Sequence, residues 1–141
     1  MTFSILLVDD SMPMRRVIKK AFKAAGYAGS NFSEAANGVE GLEKLEKSWI
    51  DIVITDFTMP EMNGLEMLLN MKKSDLLKDI PVVVVTTEGS QEKIDQFMKS
   101  GAAGYIKKPF TPEQIRDMIT SILGVSNDNE QSDDPDNGFD F

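Results

Sequence analysis

A doubly wound α/β fold, five parallel strands with helices on both faces, is what the sequence predicts, and three observations carry that expectation. Unbroken apolar runs rich in β-branched residues recur along the chain: Ile5-Leu6-Leu7-Val8, Ile52-Val53-Ile54 and Val82-Val83-Val84-Val85. Runs of this kind suit strands buried on both sides, not strands with one wet face. Longer segments with helical spacing of apolar residues lie between them, which is the alternation of a βαβ chain. Finally, the polar residues that break the pattern, Asp9-Asp10, Asp56, Thr86-Thr87 and Lys108, each fall just after a strand-like run.

Taken in order, the strong runs supply the first, third and fourth strands, while Phe32-Ser33-Glu34-Ala35 and Gly104-Tyr105-Ile106 are weaker and suit edges. In the first helix Met14, Val17, Ile18, Ala21, Phe22 and Ala25 recur at helical spacing, with Ser11 and Pro13 at its start and Gly26 after its end. Val39, Leu42 and Leu45 mark the second; Leu65, Leu68 and Leu69 mark a third that opens after Asn63-Gly64, where a turn with positive φ is expected of the glycine. Ser90 is placed as the cap of a fourth, with Ile94, Phe97 and Met98 on one face and Gly101 as its stop. Thr111-Pro112-Glu113-Gln114 combines a cap, a first-turn proline and a capping-box glutamine; Ile115, Met118, Ile119, Ile122 and Leu123 follow as the apolar stripe of the fifth. Trp49, just before the third strand, is expected to be partly buried, and the nine methionines to be packing filler.

A chain of 141 residues, 41% apolar and 27% charged, has the size of one globular domain. Without cysteine or histidine it offers no thiolate metal site, disulfide or imidazole base, so its chemistry must use carboxylates, lysines and hydroxyls. Apolar runs of four residues fall far short of the roughly 20 that span a bilayer, and neither membrane insertion nor a signal peptide is expected. The net charge of −8 is uneven: residues 125–141 hold six carboxylates and no Lys or Arg, and −8 less those six leaves −2 for residues 1–124. With no general basic field, direct nucleic-acid binding is not expected. The chain therefore divides into a folded body, 1–124, and an acidic C-terminal tail, 125–141, too polar to fold alone.

In an open parallel sheet, ligands bind outside the carboxyl ends of the strands where strand order reverses. Asp9, Asp10, Asp56, Thr86 and Lys108 should converge there. Three neighbouring carboxylates repel one another, and one lysine offsets only part of that charge, so the site calls for a divalent cation or raised pKa values. An all-oxygen donor set favours Mg²⁺, which pairs with phosphate. A carboxylate beside Mg²⁺ and an ammonium can attack an activated phosphorus, because both cations stabilise the charge on the equatorial oxygens. Asp56, alone on its strand, is the better nucleophile; the Asp9-Asp10 pair is left to hold metal.

Five ordered motifs carry a family resemblance: Val8-Asp9-Asp10-Ser11, Thr55-Asp56-Phe57-Thr58-Met59-Pro60, Met62-Asn63-Gly64-Leu65-Glu66, Val84-Val85-Thr86-Thr87-Glu88 and Gly104-Tyr105-Ile106-Lys107-Lys108-Pro109-Phe110. The chain resembles, over residues 4–124, the CheY-like receiver domains of two-component response regulators, above all the single-domain regulators of chemotaxis. The resemblance implies a flavodoxin-like sheet of order 2-1-3-4-5, a cis Lys108-Pro109 bond, and Asp56 as acceptor of phosphate from a histidine kinase. It implies Mg²⁺ on Asp9, Asp10, Asp56 and the carbonyl of Thr58, directly or through water, and Lys108 paired with the phosphoryl group. Thr86 would move toward that group while Tyr105 turns inward, changing the surface of the fourth helix, fifth strand and fifth helix for a protein target. Such a chain is a cytoplasmic phosphoacceptor switch and not a turnover enzyme; a phosphate sink or relay intermediate without its own target is the alternative. Thr58 stands where the chemotaxis regulators carry asparagine, at a position that tunes dephosphorylation and phosphatase docking, and Glu88 is assigned to the same tuning.

Simpler readings exist for single residues: Asp9-Asp10 as a solvated turn, Thr86 as a β-branched strand residue, Tyr105 as an edge aromatic. Two other functions fit the residues less well. A phosphatase or mutase of the haloacid dehalogenase type needs an aspartate where Thr58 stands, and a flavin binder needs a hydroxyl- and glycine-rich loop where Asp9-Asp10 would repel the phosphate. For the tail the expectations are a solvated extension or, because Phe139 and Phe141 flank Asp140, docking on the adjacent output face.

Overall fold

The computed structural model describes residues 2–86 and 91–124. Along the chain run β1 (Ser4–Val8), α1 (Met12–Phe22), β2 (Asn31–Ala35), α2 (Gly38–Lys47), β3 (Ile52–Thr55), α3 (Gly64–Lys72), β4 (Val82–Thr86), α4 (Gln91–Lys99), β5 (Gly104–Lys107) and α5 (Pro112–Leu123). All neighbouring strands pair in parallel, in the order β2-β1-β3-β4-β5. The order reverses at β1 and β3, and their register sets Val8 level with Thr55. The residues that follow these two strands therefore leave the sheet side by side.

The pleat divides the core in two. Leu6, Val8, Val53, Val82 and Val84 pack with Leu45 of α2, Met67, Leu68 and Met71 of α3, and Ile94 and Phe97 of α4. Ile5, Leu7, Ile52, Ile54, Val83 and Val85 face the other way, onto Ile18 and Phe22 of α1 and Ile115 and Ile119 of α5. Helix starts are capped as expected: Ser11 Oγ accepts from Met14 N–H, and Thr111 and Gln114 form a reciprocal capping box. Asn63 and Glu66 form another at α3. The Lys108-Pro109 bond is cis.

Several expectations need correction. The periodic segment of the first helix is α-helical only to Phe22; a wider turn, Lys23–Tyr27, follows, with Gly26 at φ 109°. Val17 is 52% exposed, because it lies about 100° around the helix from buried Ile18. Leu69 and Met98 are likewise exposed, while Met67 and Met71 fill the core. In α2 the buried positions are Gly38, Gly41 and Leu45, with Val39 turned outward. A Cβ on Gly38 or Gly41 would sit 2.7 Å from Met62 Cγ or 2.8 Å from Met67 Sδ, so the bare backbone makes that contact. Trp49 is not partly buried but 83% exposed, its indole N–H donating to Asp51 Oδ1 at 3.1 Å. Ser90 and the acidic tail lie outside the described residues.

Candidate functional site

Strand geometry brings the acids together. Asp9 directly follows β1, and its N–H donates to the Ala35 carbonyl of β2 at 3.0 Å; Asp56 directly follows β3, and its N–H donates to the Val8 carbonyl at 3.0 Å. These extensions of the ladder fix both backbones beyond the strand ends. The carboxylates of Asp9, Asp10 and Asp56 then offer oxygens that all lie within 4.8 Å of one another. Asp9 is buried, Asp56 half-buried and Asp10 exposed, so the group opens to solvent on the Asp10 side.

Each acid is held differently. Asp9 Oδ1 accepts the Ser11 N–H at 2.9 Å and Asp56 Oδ1 accepts the Phe57 N–H at 2.7 Å, which orients both carboxylates. Burial pushes the Asp9 carboxyl above the usual carboxylate range, the Ser11 N–H pulls it back, Asp56 raises it, Lys108 lowers it and Asp10 raises it again. Its ionised form is thus short of compensating charge. A hard divalent cation with oxygen preference, such as Mg²⁺, fits that donor set, which contains neither sulfur nor imidazole nitrogen.

Thr86, fully buried, ends β4, and its carbonyl accepts the Lys108 N–H at 2.8 Å. The lysine side chain is near enough to act on Asp9 electrostatically. Tyr105 lies outward on edge strand β5, 43% exposed. Thr58 is exposed and, with Phe57, Asn63, Leu65, Lys93, Gln96 and Phe97, lines a cavity of about 130 Å³. Glu88 and Thr87 lie outside the described residues.

Two further residues shape the site, and of these Arg15 carries no motif in the sequence. Arg15 donates through Nη1 to the Asp9 carbonyl and through Nε to Glu34 Oε1 at 2.8 Å, bracing the loop after β1. Gly64 takes no positive φ, contrary to expectation. Its role is close approach: a Cβ there would lie 2.3 Å from the Asp56 carbonyl oxygen, and the Gly64 N–H donates to the Phe57 carbonyl at 3.0 Å. Thr55 Oγ1 also donates to the Asp56 carbonyl at 3.0 Å.

The model of the response regulator receiver domain matches residues 5–120. The chain belongs to that family. Among curated relatives, the receiver domain is 39% identical to the chemotaxis protein CheY1 of Helicobacter pylori over 123 residues, 86% of this chain and 98% of that protein. It is 38% identical to the chemotaxis protein CheY homolog of Campylobacter jejuni over 122 residues, 86% of this chain and 92% of that protein. Among solved structures, the chemotaxis protein CheY4 of Vibrio cholerae superposes with a TM-score of 0.76 at 33% identity, covering 87% of this chain and all of that one. The receiver domain is thus of the type found in chemotaxis response regulators. Among its described residues no helix is long and apolar enough to cross a membrane.

Proposed function

We propose that the chain is a phosphoacceptor switch in which Asp56 takes a phosphoryl group from a phosphohistidine of a histidine kinase. The observation that carries this reading is the convergence of three carboxylates and Lys108 at the point where strand order reverses. An Asp56 carboxylate oxygen attacks the phosphorus; the P–O bond forms as the donor's P–N bond breaks, and the imidazole nitrogen leaves with the bonding pair. Asp9, Asp10, Asp56 and the Thr58 carbonyl would hold Mg²⁺, directly or through water, and the cation would supply charge neutralisation on the phosphoryl oxygens. The Lys108 ammonium pairs with the same group and holds it on Asp56. Thr86 moves toward the phosphoryl group, Tyr105 turns inward, and the α4-β5-α5 face becomes the binding surface for a protein target. The hydrogen bond between the Thr86 carbonyl and the Lys108 N–H supports this coupling, since it ties the two backbones together.

The protein acts once per phosphoryl group and assists only its own phosphorylation and dephosphorylation. Thr58, exposed on the rim of the cavity beside Asp56, tunes the latter, and a phosphatase is the partner that would contact it. The names of the relatives favour chemotaxis as the pathway, and the switch works in the cytoplasm beside its kinase. With Mg²⁺ and a small phosphodonor, the full chain should gain one hydroxylamine-sensitive phosphoryl group and Asp56→Asn none. Labelling of Asp56→Asn at the wild-type rate, or continuous release of many phosphates per chain from a phosphoester, would overturn the proposal.

A further inference from the structure

The edge of the sheet away from the acids carries two concavities that phosphotransfer does not use. One, of about 520 Å³, lies between the end of α2 and the α3–β4 connection, and is lined chiefly by Leu42, Leu45, Trp49, Leu76, Leu77 and Ile80. Trp49 and Leu76 stand 83% and 90% exposed on its rim. The other, of about 590 Å³, shares Ile80 with the first, holds Lys72, Lys78 and Asp79, and reaches Leu123 at the end of α5. Ile80 lines both, so the apolar groove adjoins a cavity that holds two ammonium groups and ends where the chain leaves its last helix. There Gly124 takes φ 68° and closes α5 with its N–H on the Thr120 carbonyl, turning the chain off the helix axis.

We propose that residues 125–141 lie along these adjoining concavities and seat Phe139 and Phe141 in the groove between Trp49 and Leu76. Three properties match segment to surface. Its six carboxylates, unaccompanied by Lys or Arg, begin at Asp128 and meet Lys72, whose ammonium donates to the Lys78 carbonyl at 2.8 Å, and Lys78, held only in a loose ion pair with Asp75 at 3.5 Å. Phe139 is the fifteenth residue after Gly124, a coil reach of about 20 Å that self-repulsion between carboxylates extends. Two phenyl rings in a strongly acidic segment find in Leu42, Leu45, Trp49 and Leu76 the apolar cover that water denies them. Docking places the tail on the amino-terminal edge of the sheet and leaves the α4-β5-α5 face open.

Trp49 is the sole tryptophan, so its fluorescence reports on the groove in the full chain. In the wild type its emission should be blue-shifted and shielded from acrylamide relative to the double variant Phe139→Ser with Phe141→Ser. Each ring removed should weaken docking about tenfold or more. Lys72→Glu with Lys78→Glu, and added salt, should shift emission in the same direction as the phenylalanine variant. Identical emission and quenching in wild type and phenylalanine variant would overturn the proposal. So would shielding that survives the phenylalanine substitutions and rises with protein concentration, which would make a second copy of the chain the occupant.

Discussion

Asp9, just past the end of β1, and Glu34, on neighbouring β2, share one arginine, yet their protonation is pushed in opposite directions. Glu34, on β2, takes the Arg15 Nε–H at 2.8 Å and the Lys19 ammonium at 2.9 Å, and those two hydrogen bonds hold its carboxyl below the ordinary range. Asp9 receives Arg15 only at its backbone carbonyl, and burial holds its carboxyl above that range. The guanidinium braces the loop and leaves the acid to the partial compensation of the Ser11 N–H and Lys108. A cation close to both acids thus offsets the charge of the edge strand and not that at the end of β1.

Removing the shared group breaks the contrast most strongly. Arg15→Ala leaves Glu34 Oε1 and a loop carbonyl without their Arg15 donors, at a cost of about 1–3 kcal/mol in urea unfolding. The Glu34 pKa should climb back toward 4.5 in an NMR titration. An unchanged Glu34 titration would assign its shift to Lys19 alone.

Asp9→Asn tests the other side. The amide oxygen can still accept the Ser11 N–H while the buried charge disappears, so without divalent cation the variant should be more stable at neutral pH. Titration with Mg²⁺ should show weaker binding in the same variant. Loss of stability without cation would make Asp9 a structural acid.

Acidity separates the two carboxylates by sign. Because the folded state holds the Asp9 proton more tightly than the unfolded chain does, ionising it costs stability as pH rises from 3.8 through its folded value. The advantage of Asp9→Asn should therefore vanish below pH 3.8 and grow above it. Glu34 behaves oppositely: its contribution is present above pH 4.5 and is lost as pH falls through its lowered folded value. Glu34→Gln should cost only about 0.5 kcal/mol at neutral pH, since the pair is partly exposed, and nothing in strong acid. Melts of the three chains at both extremes check these signs.

How much of this was legible in the sequence depended on whether a contact is local. Val82-Val83-Val84-Val85 reads as a strand because burial on both faces demands an unbroken run, and Asp9, Asp56 and Lys108 follow as strand-end residues. Arg15 gave no sign, since its partner Glu34 is 19 residues away on another strand. Gly38 and Gly41 were hidden because apolar periodicity counts side chains, and their contribution is to lack one. At Gly64 the residue was noticed for the wrong reason: what matters is the room it leaves for the Asp56 carbonyl, not its torsion. Trp49 reads as partly buried from its neighbours in sequence, but its ring stands exposed on the rim of the groove.

The alternation of side chains along β1, β3 and β4 makes the sheet a partition, with Leu6, Val53 and Val84 serving one layer of helices and Ile5, Ile54 and Val83 the other. Among the described residues the two layers form separate clusters with the sheet backbone between them. Under hydrogen exchange the amides of α1 and α5 should open as one cooperative unit and those of α2, α3 and α4 as another. The central amides of β1 and β3, covered from both sides, should be released last, at the free energy of global unfolding, so that either helical layer can loosen while the strands that carry Asp9 and Asp56 stay closed.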